Sequence, residues 1–315
     1  MTGGHSPFHA GEREIQDRVG MRERIEGYGR RGIRDHMPEQ HRQFFEQLEY
    51  FFVGSVDAHR RVWASVLTGA PGFIRAPSPT TLRVAAVPAA GDALRDSLRE
   101  GAPIGGLGIE LHTRRRNRVN GRVSLEPGAP GFAIHVEQSF GNCPQYIQAR
   151  RLRSSAQAAA GKLVRFEKSD RIPDAARALI RACDTFFVAS HYAGDACDRG
   201  HGVDVSHRGG RPGILRAIDD RTLVWPEYRG NFFFNTLGNL ARNPHCGLLM
   251  PGFNTGDTLQ LTGHAEILWD MPPAVRSAPQ PQRAVRFHVT EAVFAIGAIT
   301  SAWEFLGQAP QFTSA

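Results

Sequence analysis

The chain has 315 residues, 41% of them hydrophobic and 22% charged. That content supports a real core and excludes global disorder, which needs low hydrophobicity and high charge. Lys and Arg exceed Asp and Glu by 38 to 31, a net charge of +7. This balance permits an anionic ligand without identifying one. Glycine (34) and proline (20) exceed their usual combined share of about 12%, so turns should be plentiful.

No stretch reaches the roughly 18 apolar residues that a membrane helix needs, so no membrane partner is expected. The segment Met1–Pro7 lacks the apolar core of a secretion signal. Cys143, Cys183, Cys197 and Cys246 show neither metal spacing nor disulfide density. A reducing cytoplasm is therefore the expected setting.

The elements fall into two repeats. Residues 10–33 read as a charged helical lead-in, with Ile15, Val19 and Ile25 loosely periodic. Pro38–Tyr50 followed by Phe51-Phe52-Val53-Gly54-Ser55 echoes Pro173–Thr185 followed by Phe186-Phe187-Val188-Ala189-Ser190, 135 residues later. Each opens on a proline expected at the first helical position, with an acid beside it. Residues 70–75 and 81–84 return at 211–216 and 222–225. Gly105–Gly121 returns at Gly247–Gly263. The order is kept while the offset drifts from 135 to 142, as small loop insertions would produce.

The expected organisation is a lead-in at 1–37, a first half at 38–149, a linker at 150–172 and a second half at 173–315. Strands are predicted at 184–190, 202–207, 213–218, 222–225, 245–251, 257–268 and about 283–293. Their close spacing favours antiparallel barrels over βαβ units. Ser154–Ala160 reads as helix or loop, 271–282 as an exposed loop, and the residues after Gly307 as frayed.

Polar chemistry gathers in the second half. Asp204-Val205-Ser206-His207-Arg208 is a strand running into a Gly-Gly turn. It presents an arginine fork and a hydroxyl to a phosphate, or forms a hairpin with a solvated arginine. Trp225, Pro226, Tyr228, Arg229, Gly230 and Asn231 precede a helix in which Phe233, Leu237 and Leu240 share a face. Asn231 is the predicted N-cap, with Asn235 and Thr236 in or beside the first turn. In the first half, alternation places Arg116, Arg118 and Asn120 on one face. That face is a solvated basic edge or a wall that neutralises a bound anion. Nucleic acid is not an expected partner, because no aromatic platform accompanies it. Cys143 reads as a structural or a reactive thiol. His191, His201, His207 and His245 lack metal spacing, and no nucleophile-elbow motif is present.

The strings Asp204–Gly213, Tyr228–Asn231, Phe234–Leu240 and Gly256–Ile267 resemble the pyridoxamine 5'-phosphate oxidase-like, FMN-binding split-barrel family. Phe140–Gln148 resembles a segment of its tandem, two-barrel members. The resemblance is strong over 173–305 and weak over 38–148. It implies a mainly β fold with peripheral helices, two Greek-key split barrels in tandem, and FMN at a barrel–barrel interface, often in a homodimer. The flavin grip would fall on Ser206, His207 and Arg208, then on Trp225, Pro226, Tyr228, Arg229, Gly230, Asn231, Asn235 and Thr236. Gln260 would supply an amide at the flavin edge. Asn231 stands where the family usually has a basic residue, so Arg208, Arg229 or an arginine of 114–118, such as Arg116, must compensate. Trp303 would cover the flavin or a substrate, or else pack the C-terminal tail.

The implied activity is an FMN-dependent oxidoreductase of a small-molecule substrate, with a nicotinamide or other electron donor. His207, Tyr228 or Arg208 would tune the flavin, and no residue stands out as the catalytic acid. A non-catalytic flavin carrier and a haem-binding protein are the alternatives. Divergence between the halves favours one flavin per chain.

Overall fold

The computed structural model describes residues 5–126, 128, 130–153, 164–194, 200, 202–275, 281–299 and 302–313. Two helices lead in, α1 (Ala10–Arg18) and α2 (Arg22–Gly32), separated by left-handed Gly20. The first half contains α3 (Glu39–Glu46), β1 (Tyr50–Val56), β2 (Val62–Thr68), β3 (Ile74–Ser78), β4 (Thr81–Val84) and α4 (Leu94–Ser97). It closes with β5 (Pro103–Glu110), β6 (Arg115–Ser124) and β7 (Phe132–Gly141). Two connecting strands follow, β8 (Ala149–Arg153) and β9 (Arg165–Ser169). The second half contains α5 (Arg177–Ala182), β10 (Thr185–Tyr192), β11 (Gly202–Gly209), β12 (Arg216–Ala217), β13 (Thr222–Glu227) and α6 (Asn235–Arg242). It ends with β14 (His245–Pro251), β15 (Thr258–Leu268), β16 (Arg283–Ile296) and β17 (Ala302–Gly307).

The fold is mainly β with peripheral helices, built on two large antiparallel sheets. Their strand orders are β2-β1-β5-β6-β7-β4-β3 and β11-β10-β14-β15-β16-β13-β12, one topology used twice. Neither sheet closes into a barrel among the described residues, because the terminal strands of each path are not paired with each other. β9 adds to β16, and β17 pairs with β8.

The repetition reaches single residues. β6 and β15 each carry a register shift, at Asn120/Gly121 and at Thr262/Gly263. A Cβ on Gly121 or Gly263 would lie 1.9 Å from the carbonyl oxygen of His135 or His288 respectively. Only glycine lets the bulged strand approach its neighbour that closely.

Alternation along β1 and β10 explains how the halves join. Phe51 and Val53 enter the first half's core, and Phe186 and Val188 enter the second's. Phe52, Phe187 and Ala189 face the other way, into a third apolar cluster between the halves. The rings of Phe52 and Phe187 stack there, 3.5 Å apart by centroid. A Cβ on Gly105 would lie 2.3 Å from the Val203 carbonyl oxygen, and one on Gly247 would lie 2.5 Å from that of Val62. These are reciprocal contacts between equivalent positions. The halves therefore pack about an internal pseudo-twofold axis, the isologous geometry of a symmetric dimer.

Several local expectations need correction. Pro38 and Pro173 precede their helical turns as caps instead of opening them. The strand predicted at 213–218 shrinks to β12, because Gly213 is left-handed while Ile214 and Leu215 turn into the core. Asn231 does not cap α6. Phe234 takes the cap position in a left-handed conformation. The tail beyond Gly307 is packed, with Ala309 and Phe312 buried. In the predicted loop at 271–282, Pro273–Val275 forms a 3-10 turn with Val275 buried. Ser154–Ala160, Cys197 and His201 lie outside the described residues. Among those residues no helix is long and apolar enough to cross a membrane.

Candidate functional site

A cleft of about 870 Å³, partly open to solvent, lies between the halves. Most of that space is open to solvent; the enclosed part is small, about 120 Å³. The first half contributes Arg116 and Arg118 from β6 and the segment Asn142–Tyr146 after β7. The second contributes Ser206–Gly209 from β11, the end of β13, the loop into α6, and Arg283 at the start of β16.

Four arginines line this cleft, but they are not equivalent. Arg118 is 2% exposed and donates to the Asp204 carboxylate and, at 2.5 Å, to Ser206 Oγ. Asp204 also accepts from Asn120 and Asn239 at 2.8 and 2.9 Å. Arg208 donates through Nε to Glu227 Oε1 at 2.5 Å, and the Trp225 indole donates to the same oxygen at 2.9 Å. These two arginines are already neutralised. Arg116 is different. Its Nε donates to the Cys143 carbonyl at 2.6 Å, and it makes no ion pair among the described residues. Burial pulls its pKa down to about 9, with Cys143 opposing and Arg208 and Arg118 adding to the fall. Even so it stays cationic at neutral pH. Arg283, 5% exposed, likewise has no ion pair among the described residues.

His207 is buried on the same wall, and its Nε2 meets no hydrogen-bond partner among the described residues. Burial, reinforced by Arg116, Arg208 and Arg150, holds its pKa well below the usual imidazole value. It is therefore a neutral ring at pH 7. Thr236 Oγ1, in the first turn of α6, is also buried and unpartnered among the described residues. Buried polar atoms normally find partners, so such atoms on a cleft wall indicate a ligand's place.

Backbone strain gathers at the same rim. Phe232, Phe234 and Tyr146 all line the cleft with φ of 61°, 62° and 65°. Each left-handed non-glycine residue costs about 1–2 kcal/mol. Phe232 and Phe234 shape the loop that enters α6, whose first N–H groups have no partner within the helix. The Tyr146 ring stacks on Tyr228 at 5.0 Å, and its hydroxyl donates to the Arg229 carbonyl at 2.9 Å. Phe312 of the tail packs on both tyrosines, at 5.9 and 5.6 Å.

α6 is held from behind by the lead-in. Gly11 and Gly238 let α1 and α6 touch, since a Cβ on Gly11 would lie 2.1 Å from the Gly238 carbonyl oxygen. Glu12 accepts from the His9 amide at 3.0 Å and from Asn235 Nδ2 at 2.5 Å. Burial, then the charge of Asp204, pushes the Glu12 carboxyl well above its usual pKa.

Of the predicted site residues, the cleft gathers Arg116, Ser206, His207, Arg208, Pro226, Tyr228, Gly230, Asn231, Asn235 and Thr236. Trp225 is buried in the second core and reaches the site only through Glu227. Arg229 borders the cleft by its carbonyl while its guanidinium lies 5.2 Å from the Phe232 ring. Trp303 packs between Tyr50 and Phe253, with ring centroids 4.7 and 5.2 Å away. Gln260 lies elsewhere, donating to the Ala64 carbonyl at 2.9 Å and to Ser65 Oγ at 2.7 Å.

Strand register explains the displacement of Gln260. Phe52 pairs with Val66 and Phe187 with His207; Leu107 pairs with Arg118 and Leu249 with Gln260. Gln260 and Ser65 thus repeat the Arg118–Ser206 contact on the opposite side of the pseudo-twofold. There Val66 and Leu67 replace His207 and Arg208, and a Cβ on Gly91 would lie 2.7 Å from the Phe166 ring. That side carries an acid instead of arginines: Asp92 accepts from Ser65 Oγ at 2.7 Å and from Gln260 at 3.2 Å.

Sequence reasoning gave no site role to Glu227, Phe232, Phe234 or Arg283. Glu227 had a weak signal, an acid placed on a β strand next to the polar loop. Arg283 had none, because it opens a strand 47 residues beyond Thr236.

No family profile and no curated protein matches this sequence. Among solved structures it is similar to HupZ of Group A Streptococcus, at 18% identity and TM-score 0.32, over 42% of this chain and 98% of the other. It is similar to a putative pyridoxamine 5'-phosphate oxidase of Lactobacillus delbrueckii, at 13% and 0.30, over 39% and 94%. A FAD-binding protein of Mesorhizobium loti matches at 15% and 0.28, over 42% and 99%. Likenesses at this level define neither the ligand nor the reaction.

Proposed function

We propose that the cleft binds FMN, one per chain, and that the protein is an FMN-dependent oxidoreductase of a small molecule, with each half a split barrel. The observation that carries this reading is Arg116, a cation inside the cleft with no acid to neutralise it among the described residues. A ligand phosphate is the complementary group. The free N–H groups at the start of α6 and the orphaned Thr236 hydroxyl add donors for the same anion.

The remaining lining fits a flat, partly polar ring system. Tyr146 and Tyr228 give an aromatic wall, and Ser206 and neutral His207 offer hydrogen bonds from β11. His207 Nε2 either donates or accepts according to tautomer, without adding charge. Glu227 holds Arg208 against the β11–β13 wall, which fixes the guanidinium without making it the phosphate ligand. Bound FMN would supply the electron or hydride transfer, while the protein supplies placement and field.

The test is titration of FMN and riboflavin, followed by absorbance, into wild type and Arg116→Met. FMN should saturate at one per chain. Loss of a charged hydrogen bond should weaken FMN by about 10- to 100-fold and leave riboflavin unchanged. Equal FMN affinity in both proteins would refute the assignment of the phosphate. A screen of nicotinamide and other donors then separates the oxidoreductase from a flavin carrier, which would bind without turnover.

One observation favours a second reading. The unpartnered Nε2 of neutral His207 has the chemistry of a haem axial ligand. A Soret band on adding haem, lost in His207→Ala and unmatched by any FMN binding, would select it.

A further inference from the structure

Resting on the flavin reading above, we infer that Arg283 anchors an oxyanion, a carboxylate or phosphate, on the second ligand of this cleft, a small planar substrate. Arg283 stands directly opposite Glu227 across the β13–β16 pairing. An ion pair between them would be the simplest arrangement. Instead Glu227 Oε1 is taken by Arg208 Nε and the Trp225 indole, and Arg283 makes no contact with the carboxylate within ion-pair distance, feeling it only as a nearby charge. Arg283 is left with one neutral partner, Gln282 Oε1 at 3.2 Å, and its Nε is buried and unpartnered among the described residues.

Its surroundings favour a flat anion. The guanidinium carbon lies 5.2 Å from the centroids of both Phe234 and Trp269. Arg18 stacks on the same Trp269 ring at 3.7 Å and adds a second positive charge nearby. An arginine held between aromatic rings keeps its planar fork oriented for bidentate contact with an oxyanion. Phe234 lines the cleft beside it and offers a face to the substrate's ring. Arg283 enters from β16 of the second half, and Arg116 enters from β6 of the first. Two cations on separate elements serve two anionic groups better than one.

The experiment uses the FMN-loaded protein. Benzoate, phenyl phosphate and neutral benzyl alcohol are titrated in turn, following perturbation of the bound flavin's absorbance. The same is done for Arg283→Gln and Arg283→Lys, with melting temperatures recorded to verify folding. Wild type should prefer an oxyanion over benzyl alcohol by at least tenfold, and the better of the two anions tells carboxylate from phosphate. Arg283→Gln should erase that preference and Arg283→Lys should restore part of it. An undiminished preference in Arg283→Gln, or none in wild type, overturns the inference. So does a fall of FMN affinity to riboflavin's level in Arg283→Gln, which would give this arginine to the flavin phosphate. Failure of wild type to take up FMN removes the flavin reading as well, whereas FMN uptake without oxyanion preference removes only the inference.

Discussion

Arg118→Met tests whether the contact that ties the halves together under the cleft is a true buried ion pair. Arg118 belongs to the first half and Asp204 to the second, and they are 2% and 5% exposed. Removing the guanidinium leaves the Asp204 carboxylate inside the protein, supported by the amides of Asn120 and Asn239 alone. Breaking a buried pair by deleting one partner costs about 3–5 kcal/mol. The two amides keep the loss near the lower end, about 3 kcal/mol, equivalent to a fall of roughly 4–5 °C for a chain of this size. Urea unfolding and calorimetry at pH 7 measure it. Arg118→Met combined with Asp204→Asn should recover much of the loss, giving a clear coupling energy. The penalty should also hold between low and high salt, since a buried pair is little screened. A loss under about 1 kcal/mol, the level of an exposed pair, would refute this reasoning. Strict additivity of the two substitutions would do the same.

Two further outcomes follow from buried groups. The raised pKa of Glu12 means that its ionised form is disfavoured on folding, so stability falls as pH rises above its unfolded value near 4.5. Glu12→Gln, with the Asn235 amide turned to accept from it, should melt higher than wild type at pH 7, with the gap closing near pH 4; a gap independent of pH would contradict the assignment. Gly247→Ala should cost about 1–3 kcal/mol in urea unfolding, because its Cβ would lie 2.5 Å from the Val62 carbonyl oxygen across the pseudo-twofold. Gly32→Ala, whose Cβ would meet nothing within 4 Å, should be neutral or mildly stabilising.

Much of the fold was legible because strand repeats are written in local order. The runs Phe51-Phe52-Val53 and Phe186-Phe187-Val188 are apolar on both faces, and both faces are buried. The glycines at 121 and 263 matched within the repeat, and the structure places both at equivalent bulges. The site was partly legible for the same reason: Ser206–Arg208 and Arg116 sit on strands whose faces follow from alternation. What sequence could not show was competition between charges. Arg208 looked like the free fork, yet Glu227, 19 residues away, occupies it. Arg116 looked like one of a basic run and proved, with Arg283, to be a cleft arginine without an ion pair among the described residues. Asn231 looked like a cap, but the cap position fell to Phe234, whose left-handed backbone no propensity predicts.

The stacked Phe52 and Phe187 mark an association that dilution cannot undo. In a protein made of two separate chains, a ligand seated between subunits would lose its site whenever the subunits part, and its affinity would track protein concentration. Here the two walls are covalently joined, so at a fixed free-ligand concentration the fraction of sites filled should not depend on protein concentration. Fusion also frees the two copies of the site from having to be identical. Val66, Leu67 and the Phe166 ring could settle on one side without touching the arginines on the other.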